Sequence, residues 1–197
     1  MRLATSVAAA ALALFAATAL PQPAAADAAY QAFGARGRAQ DVKRTIDIVM
    51  RDNSYQPQRI QVRAGETVRF RVRNAGELLH EFNIGTAAMH QQHQREMQAM
   101  FESGMMSATS KDAMAGMDHS KMPGMNHGAM GHGGMSHGSM NHGSAPMRHD
   151  DPNAVLVDPG KTEEMVFKFT KATTLEFACN IPGHYESGMV GSVTFSR

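Results

Sequence analysis

A second cysteine is missing from this 197-residue chain, so its single thiol, Cys179, cannot close an internal disulfide. In an oxidising compartment such a thiol is either buried and inert or tied up by something else, and a metal would do so. An excess of charge of either sign is also missing. The 19 Lys and Arg stand against 18 Asp and Glu, mixed along the chain with no basic stripe, which argues against a nucleic-acid-binding surface. After residue 26 no stretch looks like a membrane span, so the mature chain is expected to have none.

What is present at the start is an export pattern. Met1-Arg2 is short and positive, Leu3 to Leu20 is mostly apolar, Pro21 and Pro23 break the run, and Ala24-Ala25-Ala26 offers a small-residue cleavage site. That order predicts a cleaved signal peptide over residues 1–26 and a periplasmic mature chain. No twin-arginine pair accompanies it, which favours the general secretion route. The remainder is about one domain's worth of residues.

Three zones follow. Residues 27–44 are small, polar and basic, and read as a flexible N-terminal arm. Residues 45–85 read as strands: Ile46, Ile48 and Met50 alternate, and Val68, Phe70 and Val72 alternate against Arg69, Arg71 and Arg73. The same period returns over residues 153–197, with Met165, Phe167 and Phe169, then Leu175 and Phe177, then Val190, Val193 and Phe195. Short strands separated by turns predict an all-β protein, a β-sandwich. Residues 86–150 interrupt it. Their first part has helix signals, with Thr86 as N-cap, Gly104 as stop, and Met89, His93, Met97 and Met100 on one face. That face either packs on the sandwich or adds to metal binding. The second part is low in complexity and rich in Gly and Ser, so no packed core is expected there.

The most informative stretch runs from Cys179 to Gly191 and reads C-x4-H-x4-M. It places a thiolate, an imidazole and a thioether, from Cys179, His184 and Met189, on one short loop between strands. Copper centres for electron transfer use two His and one Cys in a trigonal set, with a long axial Met. The fourth donor must come from elsewhere, and His80 is the one histidine before the interruption, on the strand-like Leu78-Leu79-His80-Glu81-Phe82. Singly, each has a bland alternative: a strand histidine, a buried thiol, a surface loop residue, a core methionine. Together they point to a metal.

These residues resemble the cupredoxins, the relatives of plastocyanin, azurin and rusticyanin. The resemblance covers Thr45 to Ile84, through Tyr55-Gln56-Pro57, Ala64-Gly65-Glu66-Thr67-Val68, Asn74 and His80, and Asn153 to Arg197, through the ligand loop. It implies a Greek-key β-sandwich over residues 45–197 and a type 1 copper centre of His80, Cys179, His184 and Met189. Two departures stand out. Glu81 occupies the place where many cupredoxins carry an Asn that ties down the ligand loop, and the interruption separates His80 from Cys179 widely.

Thirteen of the 17 methionines and eight of the ten histidines lie between Met89 and His149. Four M-x-H-G copies recur every five residues, at Met125 and His127, Met130 and His132, Met135 and His137, and Met140 and His142, with a looser pair at Met117 and His119. Thioethers suit Cu(I), and imidazoles suit both copper oxidation states. These ten residues are the candidates for additional Cu(I)/Cu(II) binding. The combination resembles periplasmic copper-tolerance cupredoxins and implies a copper-homeostasis protein. The alternative is a mobile electron carrier. Either would have a protein partner, for electrons or for copper. An oxidase enzyme is disfavoured, because Ala178 and Asn180 flank Cys179 where multicopper oxidases place metal-binding histidines; slow Cu(I) oxidation at the single centre is left open.

Overall fold

The computed structural model describes residues 29–113 and 151–196. The expected signal peptide and all ten candidate donors of the M-x-H-G tract lie outside the described residues. Two five-stranded sheets face each other. The first has the order β1 (Gly34–Arg36), β8 (Thr162–Phe169), β5 (Thr67–Asn74), β2 (Arg44–Arg51) and β3 (Ser54–Gln56). The second has the order β4 (Arg59–Val62), β10 (Val190–Phe195), β9 (Leu175–Ala178), β6 (His80–Gly85) and β7 (Ala154–Val157). Pairing is antiparallel except between β2 and β5 and between β4 and β10. Among the described residues no helix is long and apolar enough to cross a membrane.

The alternation read from sequence is the alternation of the core. Val68, Phe70 and Val72 are buried while Arg71 and Arg73 face water, and Met165, Phe167 and Phe169 repeat the pattern on the neighbouring strand. Phe70 meets Phe82 across the two sheets at a centroid separation of 5.2 Å, and Phe82 meets Phe177 at 5.3 Å. Burying each such ring contributes about 1.5–3 kcal/mol.

Of the expected flexible arm 27–44, the described part, residues 29–44, is not simply loose. Phe33 is buried against Phe167, β1 pairs with β8 in register Gly34↔Phe169, and Ala39–Asp41 forms a 3-10 turn. Gly34 allows this close approach, since a Cβ there would collide with the Phe167 ring.

The interruption leaves at the end of β6 and returns at the start of β7, the adjacent antiparallel strand. The Ile84 amide donates to the Asn153 carbonyl at 2.8 Å, closing the gap where the chain departs. An insertion between hydrogen-bonded neighbours leaves the rest of the sheet undisturbed. Its first part is helix α1 (Ala87–Glu102). Thr86 caps it by accepting from the Met89 amide at 3.3 Å, and Gly104 follows with φ +74, the left-handed conformation that ends helices. His90, Met97 and Met100 are buried and Met89 and Phe101 pack against the core, so the Met-bearing face docks on the sandwich. Beyond α1 the chain stays attached through the Leu79 amide to the Ala108 carbonyl, and through Lys111, whose amide donates to Asp158 Oδ1 and whose ammonium pairs with Glu163.

Candidate metal centre

His80 begins β6, and Cys179 directly follows β9, the next strand of the same sheet. His184 lies five residues on, in the turn that leads into β10. Strand pairing therefore brings together residues 99 positions apart. Cys179 Sγ lies 3.3 Å from His184 Nδ1 and 3.9 Å from His80 Nδ1, and the two Nδ1 atoms are 3.3 Å apart. An ion about 2.0–2.3 Å from three donors in a trigonal plane would set them about 3.5–4 Å apart. The three donors thus fit one ion with little movement. They are the one His, Cys, Asp or Glu group of three among the described residues with ligand atoms so placed.

Met189 completes the loop. Its side chain is fully buried, its carbonyl accepts from the Cys179 amide at 3.2 Å, and its amide donates to the His184 carbonyl at 3.0 Å. Backbone bonds therefore link all three loop candidates. Ser187 adds a brace, donating to the His184 carbonyl or to Asn53 Oδ1, at 2.8 and 2.9 Å.

The environment prepares the donors for a cation. Burial lowers the pKa of His80, opposed by Asp52; burial lowers that of His184, helped by the neighbouring His80. Both imidazoles are then neutral near pH 7, the form that ligates. Burial pushes the Cys179 thiol up to about 12, with the Glu81 amide pulling the other way, so binding a cation there must displace a proton.

Two further residues support the donors, Asp52, which gives no signal in the sequence pattern, and Glu81, which shows there only as a departure from the family. Asp52, in the turn between β2 and β3, holds His80 Nε2 at 3.0 Å and leaves Nδ1 facing the sulfur. Asp52 itself accepts from the Glu77 and Leu78 amides. These bonds and His80 outweigh the burial that would raise its pKa, and keep the carboxyl low. Gly76 makes room, since a Cβ there would strike Asp52 Oδ1. The second residue is Glu81. Its amide donates to Cys179 Sγ at 3.3 Å, and its carboxylate accepts from the Asn180 amide at 3.2 Å and from Asn180 Nδ2 at 2.7 Å. The tie expected of an Asn is therefore made by a carboxylate. Tyr55 braces the same residue, donating its hydroxyl to the Glu81 carbonyl at 2.5 Å. His90 and His93, on α1, lie outside the three-donor cluster.

Comparison with known proteins agrees with this geometry. The family of cupredoxin-like domains matches residues 8–101. The copper-resistant cuproprotein CopI of Pseudomonas aeruginosa is 53% identical over 164 residues, 83% of this chain and 82% of that protein. CopI of Rubrivivax gelatinosus is 36% identical, over 82% of this chain and 72% of that protein. Among solved structures, auracyanin B superposes with a TM-score of 0.53 over 83% of this chain and 96% of its own, at 14% identity, a likeness of fold alone. The chain belongs to the cupredoxin family, among the cupredoxins of the copper-tolerance type.

Proposed function

We propose that this protein binds copper at His80, Cys179, His184 and Met189 and serves copper tolerance in the periplasm, with the Met/His-rich tract holding further copper. The observation that carries the reading is the buried trio of one sulfur and two Nδ1 atoms, 3.3–3.9 Å apart. Two CopI proteins, named for copper resistance, support it. A soft thiolate and two imidazoles suit copper, and the Met189 thioether suits the weak axial position. Bound there, copper would supply a one-electron couple. The chain's own part is to keep both imidazoles neutral, hold Nδ1 of His80 in place through Asp52, and exclude water around the sulfur.

The export signal supports periplasmic action, and the density of thioether and imidazole in the tract supports extra copper binding. Ala178 and Asn180 stand beside Cys179 where multicopper oxidases place metal-binding histidines, so we read the protein as a binder, not an enzyme. A mobile electron carrier is the second reading, favoured by one observation: His184 is about 9% exposed while His80 and Cys179 are fully buried, so the ligand loop is the side from which a redox partner would approach.

Growth of cells lacking the protein, across rising copper and in copper-poor respiratory medium, separates the two. Copper sensitivity rescued by the full chain is the expected result. Normal copper tolerance with a respiratory defect would establish the carrier and overturn the tolerance reading.

A further inference from the structure

Glu81 presents an unusual feature, a carboxylate with no exposure at all, one residue from a candidate ligand. A buried charge of this kind costs several kcal/mol unless it is paired. Its two oxygens face opposite ways. Oε2 accepts twice from Asn180, the residue after Cys179. Oε1 faces helix α1, where His93 Nε2 lies at 2.9 Å, with Asn83 Nδ2 at 3.4 Å. The other ring nitrogen, His93 Nδ1, lies 3.1 Å from Glu96 Oε2. With a carboxylate on each side, both nitrogens act as donors, and the ring is an imidazolium. Burial works against that charge, but the Glu81 charge and the bonds to Glu81 and Glu96 raise the His93 pKa to about 9.

A shorter Asn at position 81 has one acceptor oxygen and could not serve both the ligand loop and the helix. The longer, two-oxygen carboxylate bridges them. We propose that His93, acting through the Glu81 carboxylate, is a positioning residue of the metal centre, fixing the Cys179-Asn180 segment and the hydrogen bond from the Glu81 amide to the Cys179 sulfur. Helix α1 is then part of the centre's frame and does more than cover the sheet. Hydrogen bonds to a ligand sulfur and the fit around it set redox behaviour, so a change at His93, which is not among the four candidate ligands, alters the centre's electronic character.

This inference rests on the copper reading, and the experiment keeps the two apart. The full-length mature chain is prepared unaltered, as His93→Gln, and as Gln98→Ala, an exposed change on the same helix at a residue bonded to Glu102. Each is loaded with Cu(II). The reduction potential and the copper hyperfine splitting in electron paramagnetic resonance are measured, and Asn180 amide exchange is followed in the metal-free protein. His93→Gln is expected to keep the visible band, shift the potential and splitting, and speed Asn180 exchange about tenfold. Gln98→Ala is expected to match the unaltered chain. A folded His93→Gln protein with all three readouts unchanged overturns the proposal. Should loss of the His93 charge prevent folding, the double variant Glu81→Gln/His93→Gln, which buries no charge, is compared with Glu81→Gln alone by the same readouts: a further shift on losing His93 sustains the proposal, and identical values overturn it. If the unaltered chain shows no visible band with copper, the copper reading fails, while Asn180 exchange still reports whether His93 holds the loop.

Discussion

At the scale of single residues, the two imidazoles of the centre are held unequally. His80 is fully buried and has its remote nitrogen on Asp52, while His184 is carried by a turn and is slightly less buried. Asp52→Ala should therefore loosen the His80 ring without removing a donor. Copper affinity is expected to fall about 10–100-fold with the visible band retained, as a competition titration against a chelator would measure. An affinity within twofold of the unaltered chain would mean that the strand alone orients His80. Cys179 differs in kind, because the charge-transfer band depends on its thiolate. Cys179→Ser should abolish that band, whereas Met189→Leu should keep it with an altered potential, because the axial bond is long and weak. A full band in the serine variant, read by absorption spectroscopy, would remove Cys179 from the centre.

At the scale of elements, helix α1 is tied to the sandwich by apolar contact and by charge. Met97 is fully buried, so Met97→Ala should cost about 2–5 kcal/mol, measured by urea unfolding. Thr86→Ala, which removes the N-cap acceptor, should cost about 1 kcal/mol. The charge contribution depends on pH. His93 faces Glu81 from β6, Glu96 on its own helix and Asp151 before β7, and its folded pKa is about 9 against an ordinary value of 6.5. The folded state therefore binds more protons than the unfolded chain between those values. The stabilisation is whole below about 6.5 and fades as pH rises through about 9, so unfolding free energy should decline across that window. His93→Gln should flatten the decline; the same slope in both proteins would assign it elsewhere.

The elements also show where sequence reading succeeds and stops. Period-two alternation identified β2, β5 and β8, because each has one face on the core, and the C-x4-H-x4-M loop was legible because three donors sit within one turn. β1 escaped notice because three residues are too few for a period, and its support is Phe33 packing on a strand far away in sequence. Asp52 and the Glu81–His93 bridge escaped for a related reason. They depend on which strand lies beside which and on how α1 docks, and no local pattern encodes either. The departure at Glu81 was visible in the sequence; its partner was not.

At the scale of the whole molecule, the Met/His-rich tract can be tested apart from the sandwich, but its removal must respect where the chain is anchored. Lys111 is held at Asp158, just past the end of β7, while the chain must return to Asp151, ahead of that strand's start. The four residues of β7 alone span about 13 Å at the usual strand rise. Cutting out residues 112–148 would leave three Cα–Cα steps between Lys111 and Asp151, a reach of about 11 Å. A clean excision would drag on Lys111 and confuse loss of copper with loss of fold. Replacing residues 112–148 by Gly and Ser at equal length avoids this, since none of the four candidate ligands or their hydrogen-bonding supports lies in that stretch. The replaced protein is expected to unfold at the same urea concentration and to keep its visible band, yet to bind fewer copper ions per chain by elemental analysis. Cells depending on it should stop growing at a lower copper concentration than cells with the full chain. Equal tolerance with lower copper content would show that the tract's copper is not what protects the cell, and would leave tolerance to the His80–Cys179–His184 centre alone.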